Sequence, residues 1–193
     1  MDSPKRLQLR VAAATEKDTV LGLFIESTLM RMGALHGAAE AEALRAEVFG
    51  KRTVVSFFRY PVADLLRLVD LSNKRGKAGD YGQGVVEFGR AAVRTFFGSP
   101  VGKTMSLLAG SDAHRLLSSA PSAYSAVMSF GERAYENLGP RTARMRFQGD
   151  LIGPGWQSGV VAQALEVVAG ATPRLTVDVQ DAAAATFVIH ADW

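Results

Sequence analysis

Residues 143–148 read ARMRFQ, and this short stretch decides the fold class. Ala143, Met145 and Phe147 alternate with Arg144, Arg146 and Gln148. One set faces a core and the other faces water, which is the period of a half-buried β-strand. Before Gly139 the apolar residues recur instead at spacings of three and four. After the strand, residues 155–169 return to helical spacing through Trp156, Val160, Ala164 and Val167. Two more alternating stretches, 174–180 and 185–190, close the chain, and the linker QDAAAA between them is short enough for a hairpin. Helices first and strands last predict an α+β chain. Its helices pack on one face of a small antiparallel sheet formed largely by the C-terminal third.

Working back from the sheet, Val85, Phe88, Ala92 and Phe96 place a long helix over 84–97. Gly98 reads as its left-handed stop, and Ser99–Pro100 as the cap and first residue of a helix over 101–108. A further helix starts after Ser111 or Asp112, and Pro121 is expected to kink or divide it. Val62, Leu65, Leu66 and Val69 form a one-sided stripe behind VVSFFRYP, itself either a short strand or a buried turn. Residues 38–49 read as an alanine-rich helix closed by Gly50. Thr15 is expected to cap a helix reaching about Met32, with Asp18 at its third position. Residues 1–14, with Leu7, Leu9 and Val11, are either a short strand or a loose arm.

A length of 193 residues predicts a single domain over 1–193. No apolar run is long enough to span a bilayer, and MDSPKRLQLR leads into no signal-like stretch. The cytoplasm is therefore the expected location. With 0 cysteines, a thiol nucleophile and a thiolate metal site are excluded. The net charge is only +3. Lys74, Arg75 and Lys77 cluster but run straight into Asp80, and a second enrichment runs from Arg133 through Arg141, Arg144 and Arg146. Neither makes a coherent basic face, so nucleic acid is not an expected partner.

Chemical motifs are sparse. GSPVGKT, residues 98–104, falls one residue short of a phosphate loop and follows a helix rather than a strand. His36, His114 and His190 have no metal-ligand spacing, and no serine lies in a nucleophile elbow. Asp64 and Asp70 sit six apart on a helix and face different ways. The expectation is no catalytic residue, no metal and no cofactor. Tyr124 and Trp156 are candidate pocket residues, together with Phe88 and Val93 on the long helix. Each is otherwise a core anchor. Arg144 and Arg146, on the polar side of their strand, are candidate contacts for an anion or a partner, and otherwise solvated.

The ordered set FFRYPVADLLRL, EFGRAAVRTFFGSPVGK, SSAPSAYSAVMSFGERAYENLGP and RMRFQG…LEVVAGATPRLTVDVQ resembles an uncharacterised paralogous family found mainly in myxobacteria. The ending is also similar to the fold of transport-protein-particle subunits, 4-vinyl-reductase-type ligand domains and haem nitric-oxide sensor domains. The resemblance implies helices on a small antiparallel sheet, with a hydrophobic cavity beside the helix between strands. This chain lacks a cysteine for acylation or zinc, and it has no histidine on helix 84–97, where a haem ligand would be sought. The leading functional expectation is a non-catalytic interaction or adaptor module in signalling. It would act as a homodimer or with a paralogous protein, because the helix 18–32 is apolar on several faces. The alternatives are a sensor domain holding a small hydrophobic ligand, and an enzyme with an unrecognised site. An adaptor fills its interior with its own side chains, whereas a sensor keeps a cavity.

Overall fold

The computed structural model describes residues 2–76, 80–170, 172–182 and 185–193. Its elements are α1 (Pro4–Ala13), β1 (Thr19–Leu21), α2 (Gly22–His36), α3 (Ala38–Phe49), β2 (Arg59–Pro61), α4 (Val62–Arg75) and α5 (Tyr81–Gly98). There follow α6 (Pro100–Ala109), α7 (Ala113–Val127), β3 (Glu132–Gly139), β4 (Thr142–Gln148), α8 (Pro154–Ala169), β5 (Arg174–Asp181) and β6 (Thr186–Asp192).

The last four strands form an antiparallel sheet in the order β3-β4-β6-β5. Register sets Ala143, Met145 and Phe147 of β4 beside Ala191, Ile189 and Phe187 of β6. All six are buried. Phe147 and Phe187 stack with centroids 4.8 Å apart. The alternate positions, Arg144, Arg146 and His190, occupy the other face, so the period-two reading of ARMRFQ holds residue for residue. On the buried face, the ring of Tyr124 from α7 meets Phe147 edge-on at 6.2 Å. Behind it, α5 and α8 lie backbone to backbone. A Cβ on Gly89 would collide with the Trp156 carbonyl, and one on Gly159 with the Val86 carbonyl. This is an α+β chain with helices on one face of an antiparallel sheet.

Several local expectations are corrected. Residues 4–13 are helical, neither strand nor arm: Ser3 caps the first turn by accepting from Arg6 N, and Pro4 takes the first helical position. Leu7 and Arg10 are its buried side, while Leu9 is exposed. Thr15 does not cap a helix. Its N–H and hydroxyl both donate to Asp18, closing a turn ahead of β1, and α2 starts only at Gly22. In VVSFFRYP the short-strand reading holds for the last three residues, which are β2 and pair with β1, while the turn before them carries Phe57 and Phe58 exposed, not buried. Gly98 is not a left-handed stop, since it lies inside α5 and Ser99 separates the two helices. Pro121 sits within an unbroken α7, because the stripe Leu116, Leu117, Tyr124 and Val127 holds both halves against the core. The basic cluster is spent locally. Lys74 pairs with Asp70 and Arg75 with Glu40 and Glu47, while Lys77 lies outside the described residues.

Candidate functional site

A cavity of about 100 Å³ lies between α2, α5, α6, α7, α8 and β4. Its wall is apolar: Phe24 from α2, Val93 and Phe96 from α5, Met105 from α6, Tyr124 and Val127 from α7, Met145 from β4, and Trp156 and Val161 from α8. The space exists because Ala92, Ala120, Ala123 and Ala164 also face it and their side chains stop short. On α7, Ala120, Ala123, Tyr124 and Val127 follow the spacing that keeps side chains on one helical face.

Three of the four pocket candidates, Val93, Tyr124 and Trp156, line this cavity. Phe88 does not. Five residues at about 100° each turn it roughly 140° away from Val93. It is buried elsewhere, with the Arg31 guanidinium 5.7 Å from its ring centroid. Arg144 and Arg146 lie on the far face of the sheet, where Arg144 donates to Glu136 at 3.0 Å and Arg146 is exposed.

Behind the apolar wall runs a buried polar chain. The Tyr124 hydroxyl donates to Gln157 Oε1 at 2.5 Å, and Gln157 Nε2 donates to Asp150 Oδ2 at 2.8 Å. The same oxygen accepts from Arg133 Nη2 at 2.6 Å, both side chains being almost fully enclosed. Asp150 Oδ1 accepts from the backbone N–H groups of Ile152 and Gly153 at 3.0 and 3.1 Å. A carboxylate there suits the positive end of α8. The Arg133 guanidinium also lies 4.9 Å from the Tyr124 ring centroid. Burial above all, and then the charge of Asp150, push the Tyr124 phenol well above its ordinary value, with Arg133 acting the other way. Tyr124 is therefore a neutral donor. Trp156 contributes a buried indole N–H with no acceptor among the described residues.

Sequence reasoning does not single out Asp150 or Gln157. An aspartate three residues before Gly153–Pro154 is a turn-and-cap signal that points to the first. Nothing in the spacing marks Gln157, because a buried glutamine in a helix has no pattern of its own. The histidines lie apart from the cavity. His114 Nε2 donates to the Pro140 carbonyl at 3.1 Å, and its Nδ1 shares a hydrogen bond with the Tyr135 hydroxyl at 2.6 Å. His190 is on the outer sheet face and His36 ends α2.

Helices α1 to α8 around an antiparallel sheet, with a cavity against the helix between β4 and β5, define an H-NOX-like fold. A triple mutant of an H-NOX protein from S. oneidensis in the Fe(II) ligation state is similar to this chain at a TM-score of 0.74 and 15% identity, over 89% of this chain and 95% of that one. The Fe(II) unliganded H-NOX protein from K. algicida gives 0.69 and 10% over 89% and 95%. A mutant of the H-NOX from T. tengcongensis gives 0.65 and 12%, over 89% and 96%. The chain belongs to the family described as protein of unknown function DUF2378, which matches residues 13–193. No curated protein matches it.

Proposed function

We propose that this chain is a sensor domain that binds a small apolar molecule, without haem, in the cavity between α5, α7 and α8. The observation that carries this is the cavity itself, walled by apolar side chains from six elements and kept open by alanines. Apolar cavities of roughly 150 Å³ in other proteins stay dry and take up benzene or xenon. An adaptor would have closed this space with its own side chains. The H-NOX-like fold supports the same reading, because proteins of that fold include an oxygen complex and Fe(II) forms.

Haem itself does not fit the residues present. Among the described residues the cavity wall has no histidine, and the chain has no cysteine. The phenol of Tyr124, the one side-chain oxygen on the wall among the described residues, is committed to Gln157 and held neutral by burial. That leaves the thioethers of Met105, Met128 and Met145, a ligand type that serves haem iron in company with a histidine. A volume of about 100 Å³ is also far below the several hundred Å³ of pockets for larger ligands. The ligand class is thus an uncharged molecule of few heavy atoms.

Calorimetric titration with benzene tests the reading. Saturable binding by the parent chain, abolished by Ala120→Phe on the cavity wall, is the expected result. No saturable uptake of benzene or xenon would overturn it. A stoichiometric haem complex with a sharp Soret band would overturn the exclusion of haem.

A further inference from the structure

We infer that the turn 55–58 is a docking point for an anionic lipid surface. Phe57 and Phe58 are 74% and 55% exposed, with rings 5.0 Å apart and edge to face. Two adjacent phenylalanines left in water call for a physical reason, which scattered single apolar residues do not.

The turn that carries them is rigid. Phe58 N donates to Val55 O at 3.1 Å, Gly22 N to Phe58 O at 2.8 Å, and Leu23 N to Ser56 O at 2.9 Å. The hydroxyl of Tyr60 accepts from Val55 N at 2.9 Å, and Ser56 donates to Glu26 at 2.5 Å. Gly22 is required for this close seat, since a Cβ there would collide with the Val55 carbonyl. The backbone is fixed on α2 while the two rings project away from it. Collapse onto the core is prevented by construction.

Charge selects the occupant. Lys51, Arg52 and Arg59 flank the turn and are all exposed, although Arg52 is shared with Asp64 at 3.6 Å and Arg59 donates to the Ala126 carbonyl at 3.0 Å. Asp64 lies against Arg52 and Arg67, and Glu26 accepts from the neutral Ser56 hydroxyl, so four cations, Lys51, Arg52, Arg59 and Arg67, stand against two acids around the turn. Aromatic rings at a tip, with an excess of cations on the flanking segments, match the layering of a membrane interface, where acyl chains lie beneath anionic headgroups. Two rings bury roughly 150–250 Å² each, well short of the ~800 Å² per partner of a stable protein interface. No described helix is long and apolar enough to cross a membrane.

Sedimentation with vesicles tests the inference on the full chain. Vesicles of equal parts phosphatidylcholine and phosphatidylglycerol should pull the protein down, and pure phosphatidylcholine should do so weakly. Phe57→Ser with Phe58→Ser should weaken partitioning about tenfold or more on both. Lys51→Glu should weaken it about fivefold or more on the anionic vesicles alone, and added salt should do the same. Unchanged circular dichroism and benzene binding would show that the variants fold. A parent chain that stays in the supernatant with both vesicles would overturn the inference, as would a double serine variant that sediments like the parent. So would a parent dimer, seen by light scattering without vesicle binding, that the double variant splits.

Discussion

The hydroxyl of Tyr124 and Oε1 of Gln157 lie 2.5 Å apart with both side chains buried. A phenol donates and an amide carbonyl accepts, so this bond turns the amide NH₂ toward Asp150, which it reaches at 2.8 Å. The cavity wall is thereby joined to the turn that opens α8, and through Asp150 to Arg133 on β3. Displacing the Tyr124 ring would therefore act on the turn before α8 and on β3.

Gln157→Leu removes the shared partner. The Tyr124 hydroxyl is then left without an acceptor and Asp150 with one donor fewer. A buried polar group left unpaired costs about 1–3 kcal/mol, and urea denaturation should show a loss of that order. Adding Tyr124→Phe removes the orphaned hydroxyl, so the double variant should lose less than the sum of the two single losses. Strict additivity would argue against the coupling.

Base should destabilise the chain. Burial is the first cause lifting the phenols of Tyr81 and Tyr124 above their ordinary value of about 10, followed by the hydrogen bond to Asp70 for Tyr81 and the charge of Asp150 for Tyr124. Above that pH the unfolded chain has released these protons while the folded chain still holds them. Stability from this source is complete below about pH 10 and declines as pH rises further. Urea midpoints measured across that range should fall, and Tyr124→Phe should flatten part of the slope. A midpoint independent of alkaline pH would contradict this.

Trp156 gives a contrast between two substitutions. Trp156→Phe deletes an indole N–H that has no acceptor among the described residues and slightly enlarges the cavity. The two effects oppose each other, so the net change should stay within about 1.5 kcal/mol. Trp156→Ala leaves a large void and should cost about 3–5 kcal/mol. In a Trp193→Phe background the fluorescence reports Trp156 alone, and a shift on adding benzene would place the ligand beside it.

The parts of this fold legible in the sequence are those whose burial pattern is written in apolar residues. Met145 and Phe147 announce β4, and the alternation from Leu175 to Val179 announces β5. β3 is hidden because its inward positions, Arg133, Tyr135 and Asn137, include only one aromatic and no aliphatic side chain, and it is an edge strand. α1 is masked by the alternation of Leu7, Leu9 and Val11, although Ser3–Pro4 carries a helix-start signal. For the site, helical geometry alone separates Phe88 from Val93. The bond from Tyr124 to Gln157 joins residues 33 positions apart, and only the packing of α7 against α8 creates it.

Gly159 provides the sharpest test of how α8 is seated. Exchanging a helical glycine for alanine ordinarily stabilises by about 1 kcal/mol, because it restricts the unfolded chain. At this position the new methyl group would run into the Val86 carbonyl and crowd the Arg90 backbone N, neither of which is the movable end of a side chain. α5 and α8 would have to separate, and both contribute to the cavity wall. Overpacking of this kind costs about 1–3 kcal/mol, enough to reverse the propensity gain. Gly159→Ala should therefore lower the urea midpoint and weaken benzene binding together. Gly170→Ala is no control, because that residue has φ +65° and would be strained whatever the space around it. Gly98→Ala, at the last residue of α5 with open space for the new Cβ, should hold or raise the urea midpoint and leave benzene binding near the parent value. Equal behaviour of Gly159→Ala and Gly98→Ala would show that the two helices are not in backbone contact.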